Sequence, residues 1–477
     1  MIWTREWLVE LGVSHPERLV ELVLSLQAEN GRWQTVAETL QQQLREKNQE
    51  LNQQQEKLEQ AQRAAFRQAA PFRLAQADRA QQPKKPGRKK GHPGSYRPRP
   101  QQIDQSIEVP LYGCPECGGT ALQEVQLVEQ FIEEIPLVRP VVTQLKTYTA
   151  FCSHCQKEVR STHPLQMSVA TGAAGTHLGA NAVAILAELK SKGLSLRKVC
   201  AVVQALFALK ITPGGLSHAL RRVGKKCDPT YQGLKEEIRN AAVAHADETS
   251  WWLKNTQAWL WVFANKTTTL YVIDEGRGRD VVIEILGLEF AGVLVSDCLV
   301  IYEDINPLQQ KCYSHHLKAI KEACAEHPQQ ATDYLANLKA MLQAAMALKK
   351  AQPEMAAEDF SLRRRGLDIL AKALLVEPRS HPAEERVRNR LYKQIDHLFT
   401  FLDYAEVDAT NNLAERQLRP AVISRKISCG NKTEAGAQTW QILSSLAATC
   451  AQRGKSFPQF VRTIMPWCQK PIVNLSG

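Results

Sequence analysis

Ala241-Ala-Val-Ala-His245-Ala-Asp247-Glu248-Thr249-Ser250-Trp251-Trp252 decides how this chain is read. A small apolar run leads into a histidine and two acids, then straight into two tryptophans. With Leu253 and the aromatic run Trp259-Leu-Trp-Val-Phe263 behind it, the pattern predicts a buried strand that carries carboxylates near its end. A carboxylate is costly to bury unless it is paired or binds a cation. Either Asp247 and Glu248 occupy a solvated turn between strands, or one of them holds a metal. A strand sends consecutive side chains to opposite faces, so Glu248 is an alternative to Asp247 and not its partner. Trp251 and Trp252 both read as core.

Outward from this stretch, runs rich in Val, Trp, Leu, Tyr and Ile predict strands over 241–253, 257–265, 268–274 and 291–295, with a helix over 278–287. Three strands in a meander, a helix and another apolar strand imply a mixed α/β sheet. Gly292-Val-Leu-Val-Ser-Asp297 again ends in an acid. Beyond Tyr302, Gln310-Lys-Cys-Tyr-Ser-His315-His316 predicts a short strand and a helix start. Residues 317–405 read as charged helices broken at Pro328, Pro353, Pro378 and Pro382. Asp408-Ala-Thr-Asn411-Asn412-Leu-Ala-Glu415-Arg416-Gln-Leu-Arg419-Pro420 opens a further helix, capped by Thr410 or Asn411, with Asn411, Glu415 and Arg419 four apart on one face. A glycine-punctuated basic loop, from Arg425-Lys426 to Gly436 and including Lys432, precedes a last apolar helix over 439–452. His245, His315 and His316 read as packing residues, or as residues that support the ligands, ahead of ligands themselves.

At 477 residues the chain is too long for a single core. No apolar run approaches the length a membrane helix needs, and the N-terminus lacks the pattern of a secretory signal, which together imply a cytoplasmic protein. Between 61 and 100, Arg63, Arg67, Arg73, Arg79, Lys84, Lys85, Arg88, Lys89, Lys90, Arg97 and Arg99 face one acid, Asp78. Nearly all of the net charge of +11 lies there, so the basic block points to a polyanion partner. Prolines and glycines over 83–100 exclude helix and sheet; the stretch is a solubilising linker or an arm for a DNA groove. Upstream, Ala37, Leu44, Leu51, Leu58 and Ala65 recur every seven residues in a Gln/Glu-rich segment, a weak coiled coil or a lone solvated helix.

Cysteine spacing is more specific. Cys114-Pro-Glu-Cys117 and Cys152-Ser-His-Cys155 are two knuckles separated by residues that alternate in strand fashion over 138–148. A two-residue spacer lets both thiolates of a knuckle reach one Zn2+ at about 2.3 Å, and two knuckles complete a tetrahedron. His154 is a bystander in this reading. Residues 178–240 are predicted helical. The break at Ile211-Thr-Pro-Gly-Gly followed by a basic helix leaves a helix–turn–helix and a plain helical subdomain both open.

Asp247, Asp297 and Glu415 therefore stand out as separated acids. Phosphoryl transfer on nucleic acid needs such a set, because two Mg2+ or Mn2+ ions about 3.5–4 Å apart take hard carboxylate ligands. Asp304 is the alternative to Asp297, and Glu406 or Asp408 to Glu415. Arg416, Arg419, Arg425 and Lys426, beside Glu415, are candidate phosphate contacts.

Over roughly residues 30–460 the chain resembles the transposases of the insertion sequence 66 family. The likeness rests on the predicted coiled helix, Gly87-Arg-Lys-Lys-Gly-His-Pro-Gly94, and the two cysteine knuckles. It rests also on His245-Ala-Asp247-Glu248-Thr249, on Lys311-Cys-Tyr-Ser-His315 after Asp297, and on Asn412-Leu-Ala-Glu415-Arg416-Gln-Leu-Arg419-Pro420 with Arg425-Lys426. The resemblance implies a multidomain α/β protein with a ribonuclease-H-like core (241–316 and 406–460) interrupted by a helical insertion (317–405). A coiled-coil region (1–70), a basic linker (71–104), a zinc-ribbon DNA-binding domain (105–165), a helical DNA-binding subdomain (170–240) and a C-terminal tail (461–477) would complete it. It implies that Asp247, Asp297 and Glu415 hold catalytic Mg2+ or Mn2+ and that Cys114, Cys117, Cys152 and Cys155 hold structural Zn2+. The expected partners are double-stranded DNA (terminal inverted repeats and target), a second copy of the chain and accessory element-encoded proteins; the expected setting is the bacterial nucleoid. A zinc-module DNA-binding protein without catalysis, or a nuclease that does not join strands, are the rival readings.

Overall fold

The computed structural model describes residues 97–465, apart from 169, 173–174, 304, 306–307 and 327–332, together with scattered positions between 16 and 42. The predicted coiled helix and the linker basics Lys84, Lys85, Arg88, Lys89 and Lys90 lie outside the described residues, as does Asp304. The chain divides into two units, 1–132 and 133–477.

In the first unit, residues 97–132 form no regular helix or strand. Arg99 donates to both Glu129 carboxylate oxygens (3.1 and 2.9 Å) and sits over the Phe131 ring. A tight turn spans Cys114–Cys117 and closes through Gly118 N–H to Cys114 O and Cys114 N–H to Gly119 O, both 2.8 Å.

The second unit begins with a hairpin, β1 (Thr149–Cys152) and β2 (Lys157–Arg160). The strand predicted over 138–148 does not form: Val138, Val141, Val142 and Tyr148 are exposed. Alternation produces a strand only where a partner edge and a covering layer exist; among the described residues 138–147 have neither, and only Tyr148 extends the hairpin, accepting from Ser161 N–H at 2.9 Å.

Three helices follow, α1 (Ala180–Ser191), α2 (Leu196–Phe207) and α3 (Pro213–Arg239). Ser195 and Thr212 cap the last two with their side-chain oxygens, and Pro213 at the first helical position suits its fixed φ. Then come β3 (Val243–Leu253), β4 (Thr256–Ala264), β5 (Thr269–Asp274), α4 (Arg279–Leu286), β6 (Val293–Ser296) and β7 (Gln309–Lys311). The sheet runs β5-β4-β3-β6-β7: the first three strands are an antiparallel meander, and β6 and β7 run parallel to β3. Gly292 allows the parallel crossover. A Cβ there would meet Ala241 O at 2.2 Å, and Val293 N–H donates to Ala242 O at 2.9 Å.

Helices α5 (Tyr313–Glu326), α6 (Asp333–Ala351), α7 (Ala357–Leu375), α8 (Pro382–Tyr392) and the short α9 (Thr400–Asp403) fill the segment before Glu415. They share a core with Val293 and Val295 of β6. Finally α10 (Asn412–Ser428), α11 (Glu434–Gln452) and α12 (Phe457–Ile464) return to the sheet. The predicted tail from 461 therefore overlaps a packed helix, since Phe460, Val461 and Ile464 are buried.

The period of two along β3 separates two layers. Ala244 and Ala246 share a core with α1–α4 and α11, whereas Trp251 and Leu253 pack with Ala414, Leu418 and Ala421 of α10. Trp261 and Phe263 of β4 join the first layer fully buried, which explains their place in an aromatic run. Trp252 corrects the expectation that both tryptophans are core: it is 47% exposed, at the hairpin tip opposite the exposed Gln257.

Candidate active site

Asp247 lies on β3 at an odd position and Glu248 at an even one, so the two carboxylates part to the two layers. Glu248 is neutralised where it goes. Arg277 donates to its Oε1 from Nε and Nη2 (3.2 and 2.8 Å), and the Tyr302 hydroxyl donates to Oε2 at 2.7 Å. Arg277 in turn rests over the Trp259 ring. Burial still holds the Glu248 carboxyl above its ordinary range, against these bonds.

Asp247 is differently placed. Its Oδ1 accepts from the Glu248 amide at 2.9 Å. Burial first, then repulsion by Glu248, Asp297 and Glu415, pushes its carboxyl well above the ordinary range. Asp297, just past the end of β6, and Glu415, from the first turn of α10, thus both lie within electrostatic reach of Asp247 on β3. Each is half-buried. Asp297 accepts from the Leu299 amide at 3.0 Å, which fixes the turn out of β6. Glu406 and Asp408 are exposed in the loop before α10.

The start of α10 is held by side chains from three elements. Asn411 is fully buried, and its side chain does not cap the helix. Its Oδ1 lies 3.1 Å from His245 Nδ1, and its Nδ2 donates to Ala246 O at 2.8 Å. Its backbone N–H donates to Cys312 Sγ at 3.2 Å, and its carbonyl accepts from Glu415 N–H at 3.1 Å. One residue therefore ties β3, the entry to α5 and the Glu415 turn together. Arg425 anchors the other end of α10 on β3 by donating to Thr249 Oγ1 (3.2 Å) and to the hydroxyl and carbonyl oxygens of Ser250. Arg416, Arg419 and Lys426 are exposed.

Two features carry no role in the sequence-based expectations. Lys311 is fully buried, donates to Ser296 Oγ at 3.2 Å and lies over the Tyr302 ring. Burial lowers its ammonium to about 8, with attraction from Cys298 and Asp297 opposing. Cys312, His315 and Glu415 place a sulfur, a ring nitrogen and a carboxylate oxygen all within 4.8 Å of one another. The available signal was Cys312-Tyr-Ser-His315 at the opening of a helix, a spacing that returns both side chains to one face.

Each cysteine knuckle has its own geometry. The Cys117 and Glu116 amides bond the Cys114 sulfur and lower its thiol, and in the β1–β2 hairpin the Cys155 and His154 amides do the same for Cys152. Amides aimed at sulfur favour the thiolate that a metal would bind.

The chain is mixed α/β, with Asp247 on the central strand of a five-stranded sheet and Asp297 just past the neighbouring strand. The family model described as Transposase IS66 family matches residues 175–439, more than half of the chain, and the chain belongs to that family. A curated relative, "Uncharacterized protein y4qI" of Sinorhizobium fredii (strain NBRC 101917 / NGR234), is 24% identical over 297 residues, 50% of this chain and 53% of that protein. The chain spans about half the length of that relative. Among the described residues, no helix is long and apolar enough to cross a membrane.

Proposed function

We propose that this chain is a DNA transposase that cleaves the ends of its element and joins the freed 3′-hydroxyl to target DNA. The observation that carries the reading is the approach of Asp297 and Glu415 to Asp247, whose carboxyl is raised first by burial and then by these like charges. Carboxylates gathered against their own repulsion fit a divalent cation, and their hard oxygens suit Mg2+ or Mn2+. Two such ions, when bound, would polarise the attacking and leaving oxygens of an in-line displacement. The meander of three strands with two parallel strands beside it, and the helices between β7 and α10, support a ribonuclease-H-like core with a helical insertion.

In this reading Asp247, Asp297 and Glu415 hold the ions, and Asn411 and Arg425 fix α10 so that Glu415 stays aimed at β3. Arg416, Arg419 and Lys426 contact phosphates along the helix, and the linker basics track the DNA backbone with Arg97. Cys114, Cys117, Cys152 and Cys155 hold a structural Zn2+ in a DNA-binding ribbon, 170–240 adds a helical DNA contact, and 1–70 pairs two copies. Terminal repeats, target DNA and accessory proteins in a bacterial cytoplasm are its partners. Incubation with terminal-repeat DNA and Mg2+ tests the reading through cleaved and joined products. Asp247→Asn and Glu415→Gln are expected to abolish both; wild-type activity in either would overturn the assignment. Cleavage without joining would make the chain a nuclease.

A further inference from the structure

We propose that Cys312, His315 and Glu415 form a binding site for a thiophilic divalent transition metal, Zn2+ foremost, beside the acid centre and sharing Glu415 with it. Tetrahedral Zn2+, with bonds of about 2.0–2.3 Å to oxygen, nitrogen and sulfur, sets its donors roughly 3.3–3.7 Å apart. The three donor atoms here lie within 4.8 Å of one another, so small side-chain rotations close the site.

The donors are prepared for this chemistry. Cys312 is fully buried, and its sulfur already accepts the Asn411 amide at 3.2 Å. His315 Nδ1 is buried without a hydrogen-bond partner among the described residues, an atom whose desolvation a ligand would offset. A sulfur–nitrogen–oxygen set does not suit Mg2+, which demands an octahedron of oxygens, and three protein ligands leave a fourth position for water. The site is therefore chemically distinct from the acid centre and from the cysteine knuckles.

Because Glu415 is common to both sites, Zn2+ on Cys312 and His315 would draw that carboxylate from Asp247 and Asp297. This consequence rests on the catalytic reading above; the binding itself does not. The test is metal content of the full-length chain after stripping and reloading with Zn2+ or Co2+. Wild type is expected to hold one ion more per chain than Cys312→Ala or His315→Gln, with affinity for that ion reduced at least about tenfold in each. With Co2+, the thiolate charge-transfer absorption is expected to fall in Cys312→Ala while that of the knuckles persists. An unchanged metal count in His315→Gln, with its circular dichroism intact, would overturn the proposal; if Cys312→Ala does not fold, His315→Gln alone decides. Zn2+ is also expected to inhibit Mg2+-supported cleavage in wild type, and to do so at higher concentration in His315→Gln relative to that variant's own activity. Absence of any cleavage in wild type would count against the catalytic reading, while the metal count would still decide the site.

Discussion

His245 and Asn411, 166 positions apart in sequence, share a buried hydrogen bond that joins the central strand to the first turn of the helix bearing Glu415. The Asn411 Nδ2 bond to Ala246 O fixes the amide orientation, so Oδ1 accepts and His245 Nδ1 carries the proton. Asn411→Ala would strand a ring N–H and a backbone carbonyl, each costing about 1–3 kcal/mol when buried without a partner. The expected loss in urea unfolding is about 2–4 kcal/mol, with cleavage activity falling as Glu415 loses its anchor. A loss below about 1 kcal/mol would show that water or a shifted helix satisfies both groups.

Asp247 should behave oppositely to a stabilising residue. Its carboxyl is raised in the folded state, so folding is penalised as pH rises above the unfolded value of 3.8. Below that value both states are protonated and the penalty vanishes. Asp247→Asn removes the charge, and in chelator at neutral pH the variant is expected to be more stable than wild type, by on the order of 1 kcal/mol. Added Mg2+ should raise the melting temperature of wild type and leave the variant unmoved. Equal melting temperatures in chelator at pH 7 would contradict the repulsion.

The strands were legible wherever the local pattern carried the information. The runs at 241–253, 257–265 and 268–274 lie within a residue or two of β3, β4 and β5, because hydrophobic alternation and aromatic content act over neighbouring residues. Asp297 follows the end of β6 as the pattern suggested, but Asp247 sits in the middle of β3, because the strand runs on through the acids to Leu253. What depends on distant partners was not legible. Residues 138–147 alternate yet pair with no strand among the described residues, and Trp252 is exposed because of where the hairpin tip ends. Asn411 looks like a helix cap, and only the approach of β3 turns its amide toward His245 and Ala246. Cys312 and His315 acquire meaning once α10 brings Glu415 beside them.

Glu385 gives a pH signature in the helices before Glu415. Bonds from Arg388, then from the Arg379 amide, lower its carboxyl from 4.5 to about 2 in the folded chain. Arg388 also donates to Leu375 O at 2.7 Å, so the pair links α8 to the end of α7. A depressed carboxylate contributes stability that is complete above the unfolded value and is lost as pH falls through the folded one. Glu385→Gln is therefore expected to melt below wild type at pH 5 and above, with the gap closing between about pH 4.5 and 2. Thermal melts followed by circular dichroism across that range check it; a gap independent of pH would mean that packing, not charge, is lost.

Gly430 and Gly366 are expected to answer the same substitution with opposite signs. Gly430 follows the end of α10 at φ +86°, and a Cβ there would meet Trp252 O at 2.2 Å. The close approach lets Asn431 N–H donate to Trp252 O (2.8 Å) and Asn431 O accept from Lys254 N–H (3.0 Å), while Trp251 Nε1 donates to Asn431 Oδ1 (2.9 Å). Gly430→Ala would force an L side chain into a left-handed conformation and push this segment off the end of β3, at a cost of about 2 kcal/mol or more. Gly366 sits inside α7 with no atom within 4 Å of a built Cβ, so Ala there should stabilise the helix by about 0.5–1 kcal/mol. Urea unfolding of the two variants beside wild type compares them directly. A Gly430→Ala midpoint at or above wild type would mean that Asn431 does not need this close approach to hold the end of β3.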